Sequence, residues 1–366
     1  MRASYMKIGL IGLDQTGKTT LFDLLTGKSA GVAAAGGKGA ANIGAGIVPD
    51  ERIDFLSALF KPKKTIYAKI ELTDVAGFSV SDGGRSSGAA KFLNDVRPCD
   101  ALVHVLRAFE SESVVHDLGS IDPARDLEAV ETEMLFADLE VIEKRITRIK
   151  TGKKITKENE TEIALLERCF GWLEKGGAIR DMELLEDERV AVRNFAFLTD
   201  KPRLAVLNMD DAQWEAGGYP NKEALVEMCS GLKIPLIELC VEMELEISQL
   251  PEEDRAIFME DMGIGRPGVD VLARAIYGLL GLISFLTVGE DEVRAWTIEE
   301  GTIARKAAGK VHSDIERGFI RAEVVKYDNI KELGSMAKVK EKGLFRLEGK
   351  EYIVDDGDII NFRFNI

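Results

Sequence analysis

MKIGLIGLDQTGKTTLFDLL, residues 6–25, decides the fold. Residues 6–13 are a short apolar run of buried-strand type, and a helical pattern follows from Lys18 to Leu25. Between them, Gly12 to Thr19 fits G-x-x-x-x-G-K-[ST] in full, in the strand–loop–helix setting that a phosphate-binding loop requires. In such a loop the backbone N–H groups of Asp14 to Thr19 point inward, and the helix N-terminus adds partial positive charge. Lys18 reaches the β- and γ-phosphates, and the Thr19 hydroxyl ligates Mg²⁺. The expected phosphate-binding residues are Gly12, Asp14, Gln15, Thr16, Gly17, Lys18, Thr19 and Thr20. A chance glycine-rich turn would not be expected between these two flanking elements.

Strand-like runs recur at Thr65–Val75, Ala101–Leu106 and Arg203–Leu207. Their alternation with helices predicts an α/β fold, a P-loop NTPase with a doubly wound, mostly parallel sheet. Asp74-Val75-Ala76-Gly77 closes the first run. A carboxylate at that strand end suits the outer shell of Mg²⁺, and the Gly77 N–H suits the γ-phosphate; alone, the motif would read as a strand ending before a turn. Asn208-Met209-Asp210-Asp211 follows the apolar run RLAVL. Asn208 and Asp211 suit a purine-binding loop, the alternative being a polar strand end; the second place holds Met209 where a lysine would lie along the base. His104 falls inside a strand and reads as core.

The middle of the chain differs. Asp122-Pro123 reads as an N-cap followed by a first-turn proline. Leu135, Leu139, Ile142, Ile146 and Ile149 repeat at heptad spacing, and Ile163, Leu166, Phe170 and Leu173 repeat again beyond Thr151-Gly152. That predicts an inserted antiparallel coiled-coil hairpin. Its tip, Lys150–Lys157, holds four lysines and no acid, which fits either a solvated turn or a phosphate-contacting patch. Ala30–Gly46 has 13 Gly or Ala among 17 residues and reads as a loop. In the last segment, short alternating stretches (Val293–Ile298, Phe319–Val325, Phe345–Leu347, Tyr352–Val354, Ile359–Phe364) predict a small β-rich domain with one helix near Thr302–Val311. The expected partition is 1–122 with 200–282, then 123–199, then 283–366.

Composition sets the outer limits. The 366 residues carry a net charge of −15, so bulk attraction to nucleic acid is not expected. Residues 283–366 hold 14 Lys and Arg against 16 Asp and Glu, so the acidity lies in the body. No run of about 18 apolar residues is present and the start does not read as a signal peptide, so neither a membrane span nor secretion is expected. Four widely spaced cysteines and three histidines argue against a disulfide framework or a metal cluster, and a cytoplasmic setting is expected.

The chain resembles the YchF/Obg-like family of translation-factor-related P-loop NTPases over nearly its whole length. The resemblance rests on the P-loop, DVAGF (74–78), KFLNDVRPCDALVHVLRAFE (91–110), DPARDLEAVETEMLFADLEVIEKR (122–145), LCVEMELEI (239–247) and FLTVGEDEVRAWTIEEGTIARKAAGKVHSDIERGFIRAEVV (285–325). It implies an NTPase domain, an inserted hairpin and a C-terminal β-grasp-like TGS domain. It implies a Mg²⁺-dependent ATP or GTP hydrolase with slow turnover that acts on the ribosome or a ribosomal subunit, with ATP the leaning. Asp211 is the residue type that guanine-specific proteins use, which keeps GTP open. Asn208, Met209, Asp211, Val241 and Glu242 would join the nucleotide site. Phe78 replaces the water-orienting glutamine of Ras-like enzymes, and His116 matches the family's catalytic candidate, its alternative being a surface-loop histidine. Family members carry a threonine in the segment before Val48-Pro49-Asp50, whereas this chain has none between Thr26 and Thr65. A nucleotide-holding adaptor with negligible hydrolysis is the alternative; a small-molecule kinase is disfavoured, since neither acceptor site nor lid is legible.

Overall fold

The computed structural model describes residues 6–27, 42–75, 77, 87–111, 114, 116, 118–152 and 154–365. The expectations for residues 30–41 and for Phe78 fall outside these. In chain order the strands are β1 (Lys7–Ile11), β2 (Asn42–Val48), β3 (Lys64–Ile66), β4 (Ala68–Asp74), β5 (Ala101–Arg107), β6 (Arg203–Asn208), β7 (Leu236–Leu239), β8 (Leu282–Val288), β9 (Glu292–Glu299), β10 (Phe319–Lys326), β11 (Arg346–Glu348) and β12 (Asp358–Phe364). Two compact units divide the chain. One holds Met6–Gly44 and Glu71–Gly268, the other Ala45–Ile70 and Val269–Ile366.

The first sheet has the order β2-β4-β1-β5-β6-β7, with β4, β1, β5, β6 and β7 parallel. Every residue of β5 and β6 is buried, as central parallel strands covered on both faces must be. β1 lies between β4 and β5 and leads into helix Lys18–Thr26, so the P-loop emerges at the carboxyl edge of the sheet.

Helices Pro123–Lys150 and Lys157–Leu173 form the expected hairpin. Asp122 caps the first by accepting from Arg125 N, and Thr156 caps the second by accepting from Asn159 N. Arg145 meets Glu162 in a fork at 2.6 and 2.8 Å, joining the two helices. The buried side of the second helix is Leu165, Leu166, Cys169 and Leu173, packed with Ile142, Ile179, Met182, Val192 and Phe197. Ile163, expected in the seam, lies outside that cluster. The cause is the covering segment after the hairpin, with helix Glu186–Arg193 and Phe197, which widens the apolar stripe beyond a two-helix seam.

In the second unit the sheet order is β11-β10-β12-β8-β9-β3. β8 and β9 form an antiparallel pair, as do β10 and β12, while β12 runs parallel to β8. Helix Ala304–Val311 buries Ala304, Ala307 and Ala308 against Phe285, Ile298, Val324 and Phe362. Three small side chains let that helix lie close on the sheet.

Four expectations need correction. Asn42–Gly46 were read as loop and lie in β2; Gly44 suits the close pass of this strand over the first helix, since a Cβ there would meet Phe22 at 2.8 Å and Thr26 at 2.6 Å. Thr65–Val75 was read as one strand and splits into β3 and β4, which belong to different sheets. The C-terminal segment holds helices Ser313–Arg317, Tyr327–Leu333 and Met336–Glu341 besides the one expected. Tyr352–Val354 forms no strand, only an isolated bridge between Ile303 and Ile353.

Candidate functional site

Four neighbouring parallel strands deliver their carboxyl ends to one edge of the first sheet, and β7 adds a fifth. Leu10 is level with Asp74, Arg107 with Asn208, and Asn208 with Leu239. The P-loop, Asp74 to Gly77, the segment after Arg107, Asn208 to Asp211, and Cys240 to Glu242 all leave from that edge. Open α/β sheets bind ligands there.

The loop is wound tightly round its lysine. Gly12 has φ 143° and Gly17 φ 91°, and a Cβ at Gly12 would strike Val105 O, so neither position accepts a side chain. Gly17 is the N-cap of helix Lys18–Thr26, and no side chain caps that end. Its N–H groups are therefore offered to an anion, as the motif requires. Lys18 is buried; its Nζ donates to Gly12 O at 3.2 Å and to Leu13 O at 2.5 Å. Thr16 is buried and donates to Leu13 O, while Asp14 and Gln15 are exposed, Gln15 at φ 59°. A Cβ at Gly77 would lie 2.7 Å from Lys18 Nζ and 2.9 Å from Asp14 N, so Gly77 does come against the loop.

Thr19 Oγ1 donates to Asp74 Oδ2 at 3.0 Å, and Asp74 is 6% exposed. Asn42 Nδ2 approaches the same oxygen at 3.5 Å. A hydroxyl backed by a carboxylate is the hard-oxygen pair that suits Mg²⁺. Among the described residues no group of three or more His, Cys, Asp or Glu converges, so the ion would take its remaining ligands from phosphate and water. Asn42 was missed in the sequence because it sits in the Gly/Ala stretch.

Asn208 ties the site together. Its Nδ2 donates to Thr16 O at 3.1 Å, and its Oδ1 accepts from Val241 N at 3.1 Å. Asp210 caps helix Asp211–Ala216 and also accepts from Glu110 N. Asp211 is exposed, and its Oδ1 accepts from the Cys240 thiol at 3.0 Å. Burial, with Asp211 beside it, pushes the Cys240 thiol up to about 12, so it stays a donor. Met209 is 3% exposed, its side chain in the apolar cluster with Leu106, Ala108, Leu207 and Leu225. Val241 is buried and contributes its N–H, whereas Glu242 is exposed.

His116 stands apart from this arrangement. Nε2 meets Asp126 Oδ2 at 2.8 Å, and Nδ1 accepts from Leu118 N at 3.2 Å, which makes Nε2 the protonated nitrogen. Arg125 grips Asp126 Oδ1 at 2.8 and 3.1 Å. Both ring nitrogens are thus committed away from the P-loop, Nε2 to Asp126 and Nδ1 to the Leu118 amide. Arg107, also missed, is 2% exposed and donates to Phe109 O and Val114 O, holding the segment that leads to His116. His104 is core as expected: 1% exposed, with its pKa lowered to about 3, chiefly by burial and then by Arg203 and Lys18.

Comparison with known proteins adds to this geometry. Residues 7–143 match the family described as 50S ribosome-binding GTPase, and residues 282–365 match the YchF GTPase C-terminal family, described as of unknown function. The Ribosome-binding ATPase YchF of Bacillus subtilis (strain 168) is 41% identical over 364 residues, covering 98% of this chain and 99% of that protein. Its counterpart in Escherichia coli O157:H7 is 37% identical over 365 residues, with the same coverage. The solved YchF GTPase of Schizosaccharomyces pombe superposes with a TM-score of 0.84 at 27% identity, covering 99% of each chain.

Proposed function

This chain belongs to the YchF family, and on that premise we propose that it is a slow, Mg²⁺-dependent purine nucleotide hydrolase, favouring ATP, that works as a regulatory switch on the ribosome. The observation that carries the reading is the loop built round Lys18, with Thr19 against Asp74 and Gly77 against the lysine. The domain partition expected from the sequence is retained in this proposal, as is a place in the cytoplasm. No helix among the described residues is long and apolar enough to cross a membrane.

The residues divide the work. The amides of Asp14 to Thr19 bind phosphate oxygens, and Lys18 exchanges its carbonyl partners for the β- and γ-phosphates. Thr19 and Asp74 would hold Mg²⁺, which supplies charge neutralisation at the β- and γ-oxygens. Asn208 fixes the distance between the phosphate loop and the base loop. His116 positions the attacking water once it leaves Asp126, which makes turnover slow unless a partner draws it out. The exposed lysines Lys150, Lys154 and Lys157 at the hairpin tip suit phosphates of ribosomal RNA, a local contact that the acidic body does not supply.

A second reading keeps the binding and drops the hydrolysis: an adaptor that holds nucleotide. It is favoured by one observation, the engagement of both His116 nitrogens away from the loop. Single-turnover hydrolysis of ATP with and without ribosomes separates the two. Release of inorganic phosphate above background, lost in Lys18→Ala, supports the hydrolase; background rates in both conditions leave only the adaptor.

A further inference from the structure

Asp211 and Cys240 lie 29 residues apart in sequence and face each other because β6 and β7 run in register. Asn208 is level with Leu239, and Met209 N donates to Leu239 O at 2.8 Å. The two loops therefore start from one locked point. Cys240 is 3% exposed at the N-cap of helix Val241–Gln249, and its thiol has one proton to give. It gives that proton to Asp211 Oδ1. Asp211 needs no such bond for its helix, because Asp210 is the cap. The thiol thus fixes the orientation of an exposed carboxylate at the mouth of the base loop, takes up one lone pair of Oδ1 and leaves Oδ2 untouched by the thiol.

The two purines ask different things of that carboxylate. Guanine presents N1–H and N2–H side by side, two donors that a carboxylate meets with both oxygens. Adenine presents one donor at N6 beside an acceptor at N1, so one oxygen satisfies it and a second oxygen repels N1. A carboxylate with one oxygen turned to a thiol matches adenine. We propose that the Cys240 thiol is a specificity-determining group: by engaging one lone pair of Asp211 Oδ1 it weakens that oxygen as an acceptor for a base, and so favours adenine, which needs one carboxylate oxygen, over guanine, which needs two. This rests on the nucleotide-binding reading above.

The test is calorimetric titration of the full chain with Mg²⁺ and non-hydrolysable ATP and GTP analogues. The proteins are wild type, Cys240→Ser, Cys240→Ala, Asp211→Ala and the double alanine variant. Wild type should prefer the ATP analogue. Cys240→Ser keeps a donor and should hold the ATP:GTP affinity ratio within about twofold. Cys240→Ala should narrow that ratio about three- to tenfold, the worth of one modest hydrogen bond, through tighter binding of the GTP analogue. In the Asp211→Ala background the same change should have no further effect, because the thiol acts only through that carboxylate. An unchanged ratio in Cys240→Ala, with both analogues still bound, overturns this inference and leaves the nucleotide site standing. A wild type that prefers the GTP analogue overturns it too. Failure of wild type to bind either analogue overturns the nucleotide reading itself, and this inference with it.

Discussion

Asn208→Ala tests whether the site is one connected object. The side chain is 6% exposed and makes two hydrogen bonds of 3.1 Å, one to the P-loop carbonyl of Thr16 and one from the amide of Val241. Truncation leaves a carbonyl and an amide without partners in a site with little room for water, since Gly17 already packs against Asn208 Nδ2. Each orphaned group costs about 1–3 kcal/mol, and partial relaxation brings the pair to about 2–4 kcal/mol. For a unit of this size that is a fall in Tm of about 5–15 °C. Urea unfolding of the nucleotide-free protein measures the loss directly, and titration with the ATP analogue should show weakened binding as well. A midpoint within about 0.5 kcal/mol of wild type would refute the claim that Asn208 joins the two loops.

Other outcomes follow from the same packing. His104 holds its proton only below about pH 3 in the folded chain, against 6.5 for the free side chain. The unfolded chain binds that proton first, so stability is full above pH 6.5 and falls as pH drops towards 3; at pH 5 the loss is about 2 kcal/mol. His104→Leu should flatten the wild-type decline between pH 7 and pH 5 by that amount in urea midpoints, and an identical slope would count against the assignment. Asp138 is fully buried and accepts from Leu198 N, Thr199 N, Thr199 Oγ1 and Arg97 Nη1. Asp138→Ala strands those donors and should cost about 3–5 kcal/mol in chemical unfolding; a loss below about 1 kcal/mol would contradict that accounting. His116→Ala should slow single-turnover hydrolysis at least about a hundredfold, the low end for a positioned acid–base group, while affinity for the ATP analogue is unchanged. Equal rates would remove the histidine from the mechanism.

The nucleotide edge was legible because its signals are local. Gly12, Gly17, Lys18 and Thr19 sit in one contiguous motif, and Asp74 and Asn208 each end an apolar strand. The helical hairpin was legible through the spacing of Leu135, Leu139, Ile142 and Ile146. What escaped depends on side-chain partners that no local pattern links. Nothing near Cys240 announces Asp211, and nothing near Asp126 announces His116. Met209, beside Asn208 in the motif, turns inward at the end of β6 and buries its side chain in the apolar cluster. β2 escaped because glycine and alanine carry little strand signal, although Gly44 is the residue that fits the narrow gap above Phe22.

The central claim is that Lys18 serves a nucleotide phosphate. Titration of wild type and Lys18→Ala with a non-hydrolysable ATP analogue in Mg²⁺ tests it most directly, with chemical unfolding run on both to compare their folds. Wild type should bind saturably at one-to-one stoichiometry, Lys18→Ala should show no detectable binding, and the two unfolding transitions should match. Equal affinity in the two proteins would contradict it.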